Sequence, residues 1–231
     1  MVRVIGHRGA AGLEPENTLR SIKRAIDLGA DEVEVDVRVT RDGHLVVIHD
    51  ETVERTTDGH GYVKDLTFNE IRRLDAGLGE AVPTLEEVLN LTQGILVLNV
   101  ELKVPEALRP TLRVIEEKNA ESDVVVISFI HDLLGEIHRL NPQIETGALF
   151  SAVPDDIFVR ASEVHAKGIY IQYRNVNAEL VEEAHREGLK IGVWTVNSVE
   201  EMRRMIRMGV DAVTTDRPDI LINLLRSMGL R

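Results

Sequence analysis

The segment VEVDVRVTRDGHLVVIHD, residues 33–50, carries the pattern on which the architecture turns. Val33, Val35, Val37 and Val39 alternate with Glu34, Asp36, Arg38 and Thr40, the two-residue period of a β-strand. One face of that strand is apolar, and the other carries two carboxylates and a cation. Asp42-Gly43 is a strong hairpin signal. A two-residue loop there sets Arg41 opposite His44 and, counting outward, Asp36 opposite His49. The segment is expected to gather acids and an imidazole at one spot.

Outward from the hairpin the chain alternates strands and helices. A β-rich run over 2–5 ends at Gly6-His7-Arg8-Gly9, and Thr18 caps a helix whose stripe is Leu19, Ile22 and Ile26 and whose stop is Gly29. Residues 51–66 are polar, with Gly59 and Gly61, and read as a loop. Thr67-x-x-Glu70 and Thr84-x-x-Glu87 are capping boxes, opening a short helix to Leu74 and a longer one to about Thr92. Strands are then expected over 95–103, 124–129, 146–150, 168–173, 190–196 and 212–215. Helices are expected over 106–118, 131–140, 155–162, 178–187, from a third box at Ser198-x-x-Glu201 to Gly209, and over 218–228. With the hairpin as one unit, eight strand–helix units result, which predicts a (β/α)8 TIM barrel with a small β-hairpin excursion after strand 2. A doubly wound open sheet would instead place a glycine-rich phosphate loop after the first strand, and Gly6-His7-Arg8-Gly9 is not one. No linker or charge block divides the chain, so residues 1–231 are expected to form a single domain.

Composition narrows the chemistry. A net charge of −12 argues against nucleic acid and acidic membranes, since phosphate would be repelled. An anionic substrate then needs a local Arg, Lys or metal ion. No cysteine is present, which excludes disulfide and thiolate chemistry. The opening MVRVIG is too short an apolar run for a secretion signal and no run reaches transmembrane length. A cytoplasmic protein without stable membrane insertion is expected.

Barrel sites lie at the C-terminal ends of the strands. Those ends carry His7-Arg8, Glu34/Asp36 with His49, Glu101/Lys103, Ser128-Phe129, Gln172-Tyr173, Trp194-Thr195 and Thr215-Asp216. Asn99, Glu101 and Lys103 alternate with apolar residues and share the face turned away from the helices. Three carboxylates, Glu34, Asp36 and Glu101, aimed into one mouth repel one another and lose hydration. A hard divalent cation resolves this; oxygen-only ligands suit Mg²⁺ or Ca²⁺, with Mn²⁺ a third candidate, and not Zn²⁺. The competing reading is a salt-bridge network with Arg8, Arg38 and Lys103. His7 and His49 reach the same mouth and suit general acid–base work, or each is a core histidine satisfied by a hydrogen bond. Arg8 and Lys103 are the cations to hold a phosphate, to balance the acids, or both. Trp194, the only tryptophan, either walls a substrate cleft or packs in the core. The other six histidines fall in turns or on helix surfaces and are assigned no role.

These residues resemble the glycerophosphodiester phosphodiesterases from His7 to about Pro218. The matching pieces are HRG at 7–9, PENT at 15–18, EVDV at 34–37, TRDGHLVVIHD at 40–50, PTLEEVL at 83–89, ELK at 101–103, SF at 128–129, VWTVN at 193–197 and GVDAVTTDRP at 209–218. The resemblance implies a (β/α)8 hydrolase of lipid and glycerol metabolism that cleaves glycerophosphodiesters into an alcohol and sn-glycerol 3-phosphate. It also implies Glu34, Asp36 and Glu101 as divalent-metal ligands, His7 and His49 as the acid–base pair, and Arg8 and Lys103 as phosphate contacts. The expected partner is a small-molecule glycerophosphodiester. A lysophospholipase D or related phospholipid phosphodiesterase, which needs an apolar rim, is the alternative enzyme. A non-catalytic phosphate-binding barrel is the third reading.

Overall fold

In the computed structural model, which describes residues 2–231, the alternating strands close into a ring. The strands are β1 (Arg3–Gly6), β2 (Glu32–Val39), β3 (Leu45–Val47), β4 (Val97–Leu102), β5 (Val124–Ser128), β6 (Glu145–Phe150), β7 (Gly168–Gln172), β8 (Lys190–Trp194) and β9 (Ala212–Thr215). All but β3 pair in parallel in chain order, and β1 closes the ring by pairing with both β9 and β2. β3 is the extra strand, antiparallel on the outside of β2. The fold is the closed eight-stranded barrel that the repeat of strand and helix implies.

Strand alternation splits the residues into two layers. Val33, Val35 and Val37 of β2 and Leu98, Val100 and Leu102 of β4 face outward, under α1 (Leu19–Leu28), α3 (Leu85–Thr92) and α4 (Leu108–Lys118). Ile169, Ile171, Ile191 and Val193 are likewise buried in a second outer cluster. Each such side chain contributes about 1.5–3 kcal/mol on burial. The inner face holds Ile5, Val125, Ile127, Leu149 and Tyr170 together with the acids of β2 and β4. Tyr170 crosses the lumen because its neighbours lack side chains. A Cβ on Gly147 would stand 2.3 Å from the ring, and one on Gly192 2.5 Å from it.

The helices start where the capping residues put them. The remaining ones are α2 (Phe68–Ile71), α5 (His131–Leu140), α6 (Ile157–Glu163), α7 (Ala178–Arg186), α8 (Val199–Met208) and α9 (Pro218–Ser227). The boxes at Thr67 and Thr84 are reciprocal, whereas at Ser198 only the hydroxyl caps, because the Glu201 carboxylate turns to Arg204. α2 ends before the expected Leu74, since Arg73 and Leu74 bond back three residues and tighten the chain into turns. Thr84→Ala is expected to cost about 1 kcal/mol of stability, read by urea denaturation. A change below about 0.3 kcal/mol would count against the cap.

The expected hairpin register needs correction. The hairpin pairs Val37 with Val47, Arg38 with Val46 and Val39 with Leu45, one residue away from the expected register. The loop has three residues, Arg41 to Gly43, with Gly43 at φ +83°. Thr40 closes it: its Oγ1 accepts from His44 N at 3.0 Å and donates to Asp42 Oδ1 at 2.7 Å. Asp-Gly serves this longer loop as well as the two-residue one. Asp36 therefore stands beside Ile48, whose N–H donates to its carbonyl at 3.0 Å. Residues 51–66 form the expected loop, and it is a packed one. Thr52 bridges to Tyr62, Val63–Asp65 form a 3-10 turn, and Val46, Ile48, Val53, Val63, Ile71, Ala76 and Val82 make a satellite core. Among the described residues no helix is long and apolar enough to cross a membrane.

Candidate active site

The site begins where β1 stops. Gly9 lies at φ +85°, and a Cβ there would sit 2.4 Å from Ser21 Oγ and 2.5 Å from its carbonyl carbon, so only glycine lets this loop lie on α1. Arg8 before it is also left-handed, at φ 50°, a conformation that costs a non-glycine residue about 1–3 kcal/mol. That geometry turns the Arg8 N–H onto Glu34 Oε2 at 2.9 Å.

A cavity of about 130 Å³ opens at the C-terminal ends of the strands. His7, Arg8, Glu34, His49, Glu101 and Lys103 line one part of it. Ile127, Leu149, Phe129 and Trp194 line another, with Phe129 edge-on to the Trp194 ring at 5.6 Å. Trp194 is thus a cavity wall, and its Nε1 donates to the Tyr170 carbonyl at 3.1 Å. Asp36 lies beneath this surface.

Parallel pairing of β2 with β4 sets Asp36 beside Glu101 and Glu34 beside Asn99. One oxygen from each of Glu34, Asp36 and Glu101 lies within 4.8 Å of the others. Asp36 is 1% exposed and Glu34 5%. Burial pushes the Asp36 carboxyl up, but Lys103, Arg8, His49 and the Asn17 amide outweigh it and hold it below the ordinary value. Glu34 is driven well above its ordinary value by burial and then by Asp36 and Glu101. Burial and Asp36 likewise push Glu101 up to about 7. The cations present do not neutralise the cluster. Lys103 Nζ is 2.7 Å from Glu101 and 3.5 Å from Asp36; Arg8 Nε is 3.3 Å from Asp36 while its Nη1 donates to Glu16 at 2.7 Å. Asp36 Oδ1 is fully buried and has no hydrogen-bond donor. Oxygens of hard-cation ligands lie 2.0–2.6 Å from the ion, so three within 4.8 Å of one another fit around a single Mg²⁺, Mn²⁺ or Ca²⁺.

Both histidines are held by aspartates. His7 Nδ1 is 2.6 Å from Asp216 Oδ1, and Asn197 braces Asp216 by its amide and by accepting from the Asp216 N–H at 3.0 Å. His49 Nδ1 is 2.6 Å from Asp50 Oδ1. Asp50 is held far below the ordinary carboxylate range, first by Arg55, whose Nε donates to it at 2.6 Å. Burial lowers the His49 pKa against the pull of Asp36 and Asp50. With Nδ1 tied, each ring has Nε2 free; that of His7 lies 4.0 Å from Glu34. His49 reaches the mouth although its expected pairing with Asp36 is absent, because β3 ends at Val47 and the chain then leaves the ladder.

Asp50 and Asp216 received no role from sequence, nor did Asn17, whose Nδ2 donates to Asp36 at 2.9 Å. All three stand inside quoted motifs, next to or near residues that did. Asn17 and Asp216 have partners 19 and 209 residues away, which hid them, whereas Asp50 braces its immediate neighbour His49. Of the other strand ends, Ser128 serves structure by donating to the Leu102 carbonyl at 2.9 Å, and Gln172 and Tyr173 border a separate rim cavity with Trp194.

Several known proteins match the chain over nearly all of its length. A glycerophosphodiester phosphodiesterase of Caldanaerobacter subterraneus subsp. tengcongensis is 43% identical, covering 98% of each chain. A solved structure from Silicibacter pomeroyi superposes with a TM-score of 0.94 at 31% identity, covering 100% of this chain and 95% of that one. An Oleispira antarctica phosphodiesterase, solved in complex with the product sn-glycerol-3-phosphate, superposes with a TM-score of 0.91 at 29% identity, covering 97% and 96%. The model of the glycerophosphoryl diester phosphodiesterase family matches residues 7–220. On the motifs, the barrel and these matches together, the chain belongs to the glycerophosphoryl diester phosphodiesterase family.

Proposed function

We propose that the barrel mouth hydrolyses glycerophosphodiesters to an alcohol and sn-glycerol 3-phosphate, with Glu34, Asp36 and Glu101 holding one divalent cation and His7 and His49 moving the protons. The observation that carries this reading is two histidines, each tied at Nδ1 to an aspartate, facing a cavity floored by an under-neutralised acid cluster. When bound, the cation supplies polarisation of a phosphoryl oxygen. Lys103 and Arg8 border the same space and add fixed positive charge where the phosphate would sit. One free Nε2 accepts the proton of the attacking oxygen, and the other returns a proton to the departing alkoxide. Asp50 and Asp216 keep each ring oriented and stabilise it when it is charged. The apolar wall of Ile127, Leu149, Phe129 and Trp194 accepts the carbon skeleton of the glycerol.

The reading is tested by a screen of Mg²⁺, Mn²⁺ and Ca²⁺ against glycerophosphocholine and glycerophosphoethanolamine, with EDTA as control. Release of glycerol 3-phosphate that needs a divalent cation is expected; none with any cation would overturn it. Leu66 and Phe68, apolar residues of the excursion, pack on its satellite core and so provide no lipid-facing rim. Phe129 and Ile130 remain exposed, and parallel turnover of lysophosphatidylcholine measures whether they accept an acyl chain.

Cation binding is also expected to be pH-dependent. Without a cation the folded protein holds Glu34 and Glu101 above the ordinary carboxyl value of 4.5, Glu101 at about 7, so between those values it binds more protons than the unfolded chain. Stability of the cation-free protein therefore declines as pH rises through that window. Binding displaces these protons, so affinity falls as pH drops below about 7. Calorimetry in buffers of different ionisation enthalpy should register the proton release; its absence across this window would contradict the cluster's role.

A further inference from the structure

A second cavity, of about 530 Å³, lies beside the catalytic one, and Lys103 lines both. Its walls come from the outer end of β2, the excursion, and the segment after β4. Four cations line it, Arg38, Arg41, Lys64 and Lys103, against the carboxylates of Glu51 and Glu106. In a chain of net charge −12 this groove is a local excess of positive charge.

The state of two of these cations is informative. Arg38 is half-buried, and its one hydrogen bond runs from Nε to the His49 carbonyl at 2.8 Å. Among the described residues it forms no ion pair, so the flat guanidinium is anchored at one edge and has both Nη atoms available. Lys64 lies 5.6 Å from the centre of the Tyr62 ring and likewise forms no ion pair among the described residues. Glu51 and Glu106 face the groove without closing on either. A fork of donors fixed by a backbone contact, with an ammonium beside it, is the arrangement that recognises a phosphate.

Resting on the hydrolytic reading above, we infer that this groove binds a second phosphate carried by the alcohol part of the substrate. The scissile phosphodiester lies on the Glu101 side of Lys103, with its glycerol on the apolar wall. The alcohol leaves past Lys103 and His49 into the groove, where Arg38 and Lys64 meet its phosphate. The substrate class is a glycerophosphodiester whose alcohol is a phosphorylated polyol or a further polyol phosphate unit, in preference to a choline or ethanolamine ester. A cationic head group would meet four cations against only the two carboxylates of Glu51 and Glu106, a net repulsion.

The test compares kcat/KM for glycerophosphoinositol and glycerophosphoinositol 4-phosphate, which differ by one phosphomonoester. A linear trimer of glycerol joined by two phosphodiesters and glycerophosphocholine complete the set. At least one probe with the second phosphate is expected to be cleaved about tenfold more efficiently than glycerophosphoinositol, from one half-buried and one exposed charged contact. Preference for the 4-phosphate identifies a phosphorylated polyol, and preference for the trimer a polyol phosphate chain. In a protein carrying Arg38→Gln and Lys64→Glu the ratio should fall to about one. Each ratio is taken within one protein, so a general loss of catalysis cancels. The inference is overturned if neither phosphate-bearing probe is preferred, or if the preference survives both substitutions. Failure to cleave any of the four, glycerophosphocholine included, would instead bring down the hydrolytic reading and the inference with it.

Discussion

His49→Ala is expected to lower kcat on glycerophosphocholine by about 10²–10⁴-fold, and His7→Ala by a similar factor, the range general acid–base catalysis contributes. KM should change little, because neither ring is among the charges proposed to hold the phosphate. The two rings are anchored in the same way yet by carboxylates from different parts of the chain. His7 stands on Asp216 at the end of β9, and His49 on Asp50 in its own loop. A histidine serving only as packing would have no reason to be tied to a carboxylate at 2.6 Å while facing a cavity. Asp50→Asn is a milder version of the same experiment. It keeps the shape but removes the charge that stabilises the imidazolium, so the pH profile should shift while cation affinity stays. Near-normal turnover in both alanine variants would sink the acid–base assignment.

Glu34→Gln is expected to abolish the stabilisation that a divalent cation gives the native protein, and with it most of the activity. For the unaltered chain, cation at 100 times its Kd should add about 2.7 kcal/mol to the unfolding free energy. The variant, with a neutral oxygen in place of a carboxylate, should need more than about 100-fold higher cation to match it, since even outer-shell changes cost 10–100-fold. Its stability without cation should be no lower than that of the unaltered protein. Glu34 is crowded by Asp36 and Glu101, so the amide replaces a carboxyl that burial and its neighbours make costly to ionise. Loss in the presence of cation with no loss in its absence separates a ligand from a packing residue. An unchanged cation-induced rise in Tm in Glu34→Gln would exclude Glu34 from the site.

The barrel was legible because its signals are local. Val33, Val35 and Val37 announce an outward face, and Thr18, Thr67 and Thr84 mark helix starts through bonds that span three residues. The acids were legible for the same reason, since alternation alone assigns Glu34, Asp36 and Glu101 to the lumen. The hairpin register was not, because Asp42-Gly43 fits loops of two or three residues and the choice fell to the hydroxyl of Thr40. A slip of one residue normally reverses every side chain. Here His49 escaped the consequence by lying beyond the last ladder pair. Least legible were the braces. Arg55 donates to both Glu16 and Asp50, and nothing in the spacing of 16, 50 and 55 foretells a shared contact.

The contact between His7 and Asp216 spans 209 residues, and the strands that carry them are the pair that closes the ring. In synthesis His7 precedes its partner by 209 residues, so the contact waits until β9 has been made. Until then His49 has its aspartate, but His7 has none, and Arg3 to Gly6 lack their β9 neighbour. The acid cluster of β2 and β4 can form much earlier, since its members lie within the first 101 residues. The residues of the proposed cation site are thus made well before the proposed pair of proton carriers is complete, and ring closure is what brings His7 to its aspartate.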